Sequence, residues 1–188
     1  MRVALMGSGL GANADAILLA IKKGELKNIE VVGVISDKEN AGILEVAKRY
    51  GVEGMYIHPG VYRTKLEGDA EKRYIETLQK WGAELVVLVG FMRVVKQGFL
   101  IAFNNKVINL HPSLLPAFKG LNAIKQAYNY GVKYAGCTVH WVVEELDAGR
   151  IIDQEVVEVR KGESLESLKE RVHVAEHRLI VRAMGGLK

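Results

Sequence analysis

The chain has 188 residues, of which 49% are hydrophobic and only 3 are proline, so it is long enough for one domain with a sizeable core. The formal net charge is +4 and no basic block is longer than a dipeptide, so we expect no nucleic-acid partner. Cys137 is the only cysteine. It excludes an intramolecular disulfide and a cysteine-based zinc site, and it favours a reducing, cytoplasmic location.

The apolar runs are short. The run after Arg2 has only four residues, which is too short for a signal peptide and predicts a first strand instead. The longest uncharged run, which contains LVVLVGFM, is far too short to cross a bilayer. We therefore expect no association with a membrane.

Strand-like segments alternate with helical patterns in the first half of the chain. The predicted strands are residues 2–6, 29–36, 53–57 and 84–90, all rich in β-branched residues. Helical faces are formed by Ile17, Ala20 and Ile21 and by Tyr74, Ile75, Leu78 and Trp81, with Gly24 as a helix stop. This alternation predicts a mostly parallel sheet that is covered on both faces.

The second half of the chain has a different pattern. A strand at 106–110 precedes a loop with two prolines, and a helix at 122–130 ends at Gly131. Segments 134–143 and 151–159 alternate as strands and could pair antiparallel. The last helix is expected to begin after Ser164 as N-cap, with a buried stripe of Leu165, Leu168, Val172, Ala175, Leu179 and Ala183. The fold class is α/β, a single Rossmann-like doubly wound domain with antiparallel strands near the C-terminal half.

A glycine-rich turn, GSGLGAN, follows the first predicted strand and opens the first helix. Glycines let backbone N–H groups approach an anion, which the helix dipole also favours. Gly7, Gly9 and Ala12 also satisfy a loose dinucleotide-binding spacing, and Asp37 follows the second strand where a ribose ligand is expected. A phosphate site, a nicotinamide-dependent oxidoreductase and a purely structural tight turn all remain open from this motif. Asn13 suits a phosphate ligand or a helix cap.

Asn109 and His111 stand two apart at the end of a predicted strand, so their side chains leave on the same face. An amide donor beside an imidazole can stabilise an oxyanion and move protons. Asp147, in a later loop, is the natural carboxylate to hold His111 in its charged form. A histidine before a proline is more often an ordinary turn residue, and the pair alone does not decide between these interpretations.

Three segments in the same order and spacing resemble the phosphoribosylglycinamide formyltransferase family. They read LVGFMRV, NLHPSLLPAFKGL and GCTVHWVVEELDAGRII, and the similarity extends over nearly the whole chain. The resemblance implies transfer of the formyl group of 10-formyltetrahydrofolate to the amine of phosphoribosylglycinamide in de novo purine biosynthesis. It implies direct attack through a tetrahedral intermediate, with no metal and with the folate as co-substrate.

The resemblance also assigns roles to residues of this chain. Asn109, His111 and Asp147 take the catalytic roles, Gly11, Ala12 and Asn13 hold the substrate phosphate, and Glu176 contacts the ribonucleotide. Without the resemblance, a solvated helix charge is an equal alternative for Glu176. The implied folate site comprises Leu88, Phe91, Met92, Arg93, Val94, Val95, Asn109, Val143, Glu144, Glu145, Leu146 and Asp147, with either Arg63 or Lys65 as a basic contact. The phosphate-binding half is then about 1–100 and the catalytic and folate-binding half about 84–188, within a single domain 1–188.

Several positions depart from the family pattern without removing a catalytic group. They are Leu10 and Ala12 in the phosphate loop, Asn122, Arg150 and the pair Ile180-Val181. Methionyl-tRNA formyltransferase and formyltetrahydrofolate hydrolase resemble the chain less, because each carries an additional domain. A non-catalytic nucleotide-binding module is a third alternative, disfavoured by the intact catalytic trio.

Three further histidines and the assembly state complete the expectations. His140 is interpreted as a buried, hydrogen-bonded histidine rather than a catalyst, with Thr138 supporting the site in the same way. His173 and His177 have metal-ligand spacing but no third ligand nearby, so no metal is expected. The sequence leaves monomer and homodimer open.

Overall fold

A computed structural model describes residues 1–187, which form seven strands and six helices. Lys188, the last residue of the expected single domain, lies outside the described residues. The strands are β1 (Arg2–Met6), β2 (Glu30–Ser36), β3 (Gly54–Tyr56), β4 (Leu85–Leu88), β5 (Val107–His111), β6 (Tyr134–Trp141) and β7 (Ile151–Glu158). The helices are α1 (Ala12–Lys22), α2 (Gly42–Arg49), α3 (Asp69–Lys80), α4 (Gln97–Ala102), α5 (Ala123–Tyr130) and α6 (Leu165–Gly186).

All seven strands form one mixed sheet in the order β3-β2-β1-β4-β5-β6-β7. The first five strands of the chain pair in parallel, whereas β6 runs antiparallel to both β5 and β7. The predicted α/β class and the antiparallel strands in the C-terminal half are therefore confirmed. Within residues 1–187, no helix combines the length and apolar character that crossing a membrane requires.

Each face of the sheet buries its own apolar cluster, because successive side chains of a strand point to opposite faces. On one face, Leu5 and Val87 pack with α1, α2, α5 and α6. On the other, Met6 and Val86 pack with α3 and α4. Burial of each such aliphatic side chain contributes about 1.5–3 kcal/mol, so the two helical layers together provide most of the stabilisation of the sheet.

The helix ends follow the predicted signals. Gly24 and Gly131 adopt positive φ just after α1 and at the end of α5. The Ser164 side chain accepts a hydrogen bond from the Ser167 N–H at 3.2 Å and caps α6, as expected. Leu165 is only half-buried, and the buried surface of α6 extends beyond the predicted stripe to Glu176, Ile180 and Met184.

Candidate active site

The polar cluster lies where β5 ends beside β6. In the antiparallel register, Asn109 stands opposite His140 and His111 stands opposite Thr138. Directly opposed residues share a face of the sheet, so four polar side chains converge on one side of two strands. The neighbouring residues on the other face, such as Leu110 and Val139, are buried in the apolar core. The strand pattern thus fixes the backbone of the site.

Asp147 provides the carboxylate of this cluster. Its Oδ2 lies 3.4 Å from His111 Nδ1 and accepts a hydrogen bond of 2.8 Å from the Gly120 N–H, and its Oδ1 lies 3.6 Å from His140 Nε2. Burial would raise the pKa of Asp147. Contact with His140, the Gly120 hydrogen bond and attraction to His111 outweigh that effect, and the pKa lies below its usual value. Asp147 is therefore a buried anion facing two imidazoles.

The His111 ring has a hydrogen-bond acceptor at each nitrogen. Nε2 lies 3.0 Å from the carbonyl oxygen of Phe118, and Nδ1 faces Asp147. A neutral imidazole carries a single N–H, so only the imidazolium can donate to both acceptors. Both ring nitrogens of His111 therefore face acceptors that an imidazolium can satisfy.

His140 is buried and hydrogen-bonded, as the sequence suggested, but it belongs to the cluster itself. Its Nδ1 lies 2.9 Å from the Trp141 carbonyl oxygen, which can only accept, so Nδ1 carries a proton. Its Nε2 lies 3.2 Å from Asn109 Nδ2. With the proton on Nδ1, Nε2 is the acceptor for the Asn109 amide. Its position opposite Asn109 on a paired strand is the signal that sequence analysis did not use.

The loop after His111 is fastened to β6 and β7. Thr138 Oγ1 donates to the Ser113 carbonyl oxygen at 2.6 Å and accepts from the Leu115 N–H at 3.1 Å. Gln154 Nε2 donates to Thr138 Oγ1 at 2.9 Å. Thr138 thus supports the site, as expected, by holding the loop that brings the Phe118 carbonyl to His111.

The glycine-rich turn and α6 meet at the start of α1. Gly11 has φ +87°, and a Cβ there would lie 2.6 Å from the Ile43 Cα, so a glycine is required. Asn13 Nδ2 donates to Glu176 Oε2 at 3.3 Å, and His173 Nδ1 lies 2.8 Å from the same oxygen. Glu176 is only 5% exposed, which rules out the alternative of a solvated helix charge. The proposed phosphate and ribonucleotide residues are therefore neighbours, although they are separated by more than 160 positions in the sequence.

The expected folate segments lie in different environments. In the first, Leu88, Phe91 and Val95 are buried, and Met92 is exposed. In the second, residues 143–146 are exposed and lead into the buried Asp147. The second segment therefore reaches the polar cluster at Asp147.

The two candidate basic residues lie next to the first of these segments. Val94 pairs with Lys65, and its N–H donates to the Thr64 carbonyl oxygen at 2.9 Å. The Lys65 ammonium contacts Glu67 and lies 4.2 Å from the centre of the Tyr62 ring, whereas Arg63 is exposed.

Comparison with known proteins identifies the family. A sequence profile described as "Formyl transferase" matches residues 1–184. The chain belongs to the formyl transferase family. Phosphoribosylglycinamide formyltransferase of Bacillus subtilis is 37% identical over 177 residues, which cover 94% of this chain and 89% of that protein. The human trifunctional purine biosynthetic protein adenosine-3 is 39% identical over 97% of this chain, but the match spans only 18% of that longer protein.

Solved structures of formyl transferases share the fold. The phosphoribosylglycinamide formyltransferase of Bacillus halodurans superposes with a TM-score of 0.92 at 38% identity, covering 98% of this chain and 94% of that one. Glycinamide ribonucleotide transformylase 1 of Symbiobacterium toebii gives 0.91 at 42% identity, covering 98% and 85%. The family expected from the three sequence segments is therefore confirmed.

The nicotinamide alternative is weakened by Asp37. This residue follows β2, where a ribose ligand was expected, but its side chain is only 3% exposed, and its Oδ2 accepts a hydrogen bond of 2.8 Å from Arg93 Nε. A carboxylate enclosed with an arginine is not free to bind a ribose.

Among residues 1–187, no three His, Cys, Asp or Glu side chains form a group that could hold a metal ion.

Proposed function

We propose that this formyl transferase moves the formyl group of 10-formyltetrahydrofolate to the amine of phosphoribosylglycinamide, a step of de novo purine biosynthesis. The observation that carries the proposal is the convergence of Asn109, His111 and Asp147 at the end of β5, with both His111 nitrogens next to acceptors. The names of relatives that match over most of their length support this acceptor.

The reaction needs one site that stabilises a tetrahedral adduct and supplies a proton. The substrate amine attacks the formyl carbon, and the Asn109 amide donates a hydrogen bond to the oxygen that becomes negative. The His111 imidazolium, held by Asp147, gives additional positive charge and transfers a proton to the departing folate nitrogen. The attacking amine loses its excess proton, one proton returns to His111 and restores the imidazolium, and tetrahydrofolate is released. No covalent intermediate with the protein is required.

The ribonucleotide is proposed to bind at the start of α1. The first N–H groups of an α-helix have no partner within the helix and attract a phosphate, and Gly11, Ala12 and Asn13 stand at this end. Leu10 and Ala12 provide no polar side chain, so backbone N–H groups carry the contact. Glu176 suits the ribose hydroxyls, because it is a buried carboxylate beside Asn13.

The folate is proposed to lie between segments 91–95 and 143–147, with Leu88 behind the first segment and Arg63 or Lys65 at the rim. The second segment adjoins the polar cluster, since Asp147 ends it and contacts both histidines. Under this proposal, the phosphate-binding residues come mainly from about 1–100 and the catalytic and folate residues mainly from about 84–188. Glu176 contacts the ribonucleotide from the second half of the chain.

The direct test is an acceptor comparison. Purified protein is given 10-formyltetrahydrofolate with phosphoribosylglycinamide, with methionyl-tRNA or with water alone, and tetrahydrofolate formation is followed by absorbance. The proposal requires fast turnover only with the ribonucleotide. Fast turnover with the tRNA would identify a tRNA formyltransferase, and turnover with water alone would identify a hydrolase.

A further inference from the structure

The segment from Gly90 to Val95 is anchored at both ends to other parts of the sheet rim. At one end, the Ser8 N–H donates to the Gly90 carbonyl oxygen at 3.0 Å, and the Met92 N–H donates to Ser8 Oγ at 2.9 Å. Ser8 belongs to the glycine-rich turn. The proposed folate wall is therefore joined to the turn that is proposed to hold the phosphate, by one backbone–backbone hydrogen bond and by one to the Ser8 side chain.

Arg93 provides the anchor at the other end. Its Nε donates to Asp37 Oδ2 at 2.8 Å, and one terminal nitrogen donates to the Tyr62 carbonyl oxygen. Asp37 follows β2, and Tyr62 precedes the stretch that pairs with Val94. One guanidinium thus joins three separate segments, which a single ammonium group could not do with the same geometry.

The Arg93–Asp37 ion pair is largely buried, and this burial favours arginine at position 93. The side chain of Arg93 is 16% exposed, and Asp37 Oδ1 is buried without a hydrogen-bond partner among residues 1–187. A buried carboxylate with one unpaired oxygen depends on its remaining cation, so loss of Arg93 would leave an uncompensated charge beside the wall. The guanidinium is directed into the protein and is held there by both contacts.

We infer that Arg93 is a positioning residue that acts through Asp37: the ion pair sets the conformation of segment 91–95 and thereby the affinity for the formyl folate. This inference rests on the proposed function. This role differs from the expected direct contact between Arg93 and the folate. The Arg93 side chain contacts Asp37 and Tyr62, and the folate is proposed to contact segment 91–95, which these contacts hold in place.

The test compares Arg93→Met, Arg93→Lys and Asp37→Asn with the parent. For each, the KM values of both substrates, kcat, the Kd of tetrahydrofolate and the melting temperature are measured. We expect Arg93→Met and Asp37→Asn each to raise the folate KM and the tetrahydrofolate Kd by about tenfold or more, because a small displacement of a binding wall has large effects. Arg93→Lys should recover part of the loss. The ribonucleotide KM and kcat should change by less than about threefold.

Arg171→Met is the matched control. Arg171 also joins a largely buried carboxylate, Glu163 at 2.9 Å, to a backbone carbonyl, that of Glu158, but it does so beside β7 at the other edge of the sheet. It should lower the melting temperature and leave both KM values unchanged.

Three results would overturn the inference. They are an equal rise in folate KM for Arg171→Met, a rise in both KM values for Arg93→Met, and a loss in Arg93→Met that Asp37→Asn does not share. The last result would assign the guanidinium to direct folate binding. If the parent binds tetrahydrofolate but does not formylate the ribonucleotide, the proposed function fails while the Kd comparison still tests Arg93. If the parent does not bind tetrahydrofolate, both fail.

Discussion

Substitution of Asp147 by asparagine separates the charge of the site from its shape. Asparagine has nearly the same size, tolerates the positive φ of +49° at this position, and can still accept the hydrogen bond from the Gly120 N–H. What is lost is the negative charge 3.4 Å from His111 Nδ1. Asp147→Asn should therefore fold like the parent but hold the His111 imidazolium poorly.

The magnitude follows from the number of contacts that disappear. One buried charge pair to the proton donor is removed, and loss of one transition-state electrostatic contact typically lowers kcat by about 10²–10³. The pKa of Asp147 is lowered in the folded protein, so its charge stabilises the fold above about pH 3.9, and this contribution is lost as the pH falls through the folded-state value. The variant should therefore lack that part of the acid-induced loss of stability.

The assay is initial-rate formyl transfer at saturating concentrations of both substrates, with unfolding in urea measured in parallel. Asp153→Asn is the control. Asp153, on the edge strand β7, also has a lowered pKa, but the cause is its hydrogen bond to Arg182 of α6. Its kcat should equal that of the parent. A kcat for folded Asp147→Asn within about threefold of the parent would refute the catalytic role of the carboxylate.

Three further outcomes are expected. Gly11→Ala forces a Cβ to within 2.6 Å of the Ile43 Cα at a φ of +87°. The free energy of unfolding in urea should therefore fall by about 1–3 kcal/mol, and the ribonucleotide KM should rise. Unchanged values of both quantities would contradict the role of the turn. Ser164→Ala removes the cap of α6 and should cost about 1 kcal/mol with kcat unchanged; a loss of kcat at full stability would be inconsistent with a purely structural cap. The hydrogen bond to Glu176 raises the pKa of His173. The stability of the parent relative to His173→Gln should therefore be greatest below about pH 6.5 and should decline as the pH rises through the folded-state pKa of His173. A pH-independent difference in urea midpoints would refute this expectation.

The sheet could be predicted from sequence because strand periodicity and turn residues are local signals. The strand at 2–6 is identical to β1, and Ser164 caps α6 as expected. Helices α2 and α4 were not predicted. Helix α4 has only six residues, whereas α2 does show the helical i, i+3, i+4 spacing at Ile43, Val46 and Ala47, a signal that sequence analysis did not use. The predicted strand 53–57 shortens to 54–56 because β3 is an edge strand with a single neighbour.

The site could be predicted only in part. The N-x-H spacing places Asn109 and His111 on one face, since it depends on the strand period alone. Contacts between distant segments could not be derived in this way, and the position of Asp147 was expected from family resemblance. The His140 contact with Asn109 depends on strand register, and the Arg93–Asp37 pair depends on the packing of loops 56 positions apart. Residues that act through such pairs carry no spacing signal.

The most direct measurement is the rate of formyl transfer to phosphoribosylglycinamide by Asn109→Ala, His111→Ala and the double variant. Because both side chains are proposed to act on one tetrahedral adduct, each single change should lower kcat by about 10²–10³, and the double variant should be little worse than the more impaired single variant. Single variants that are folded and as fast as the parent would contradict the proposal that an amide and an imidazolium at the end of β5 perform the transfer.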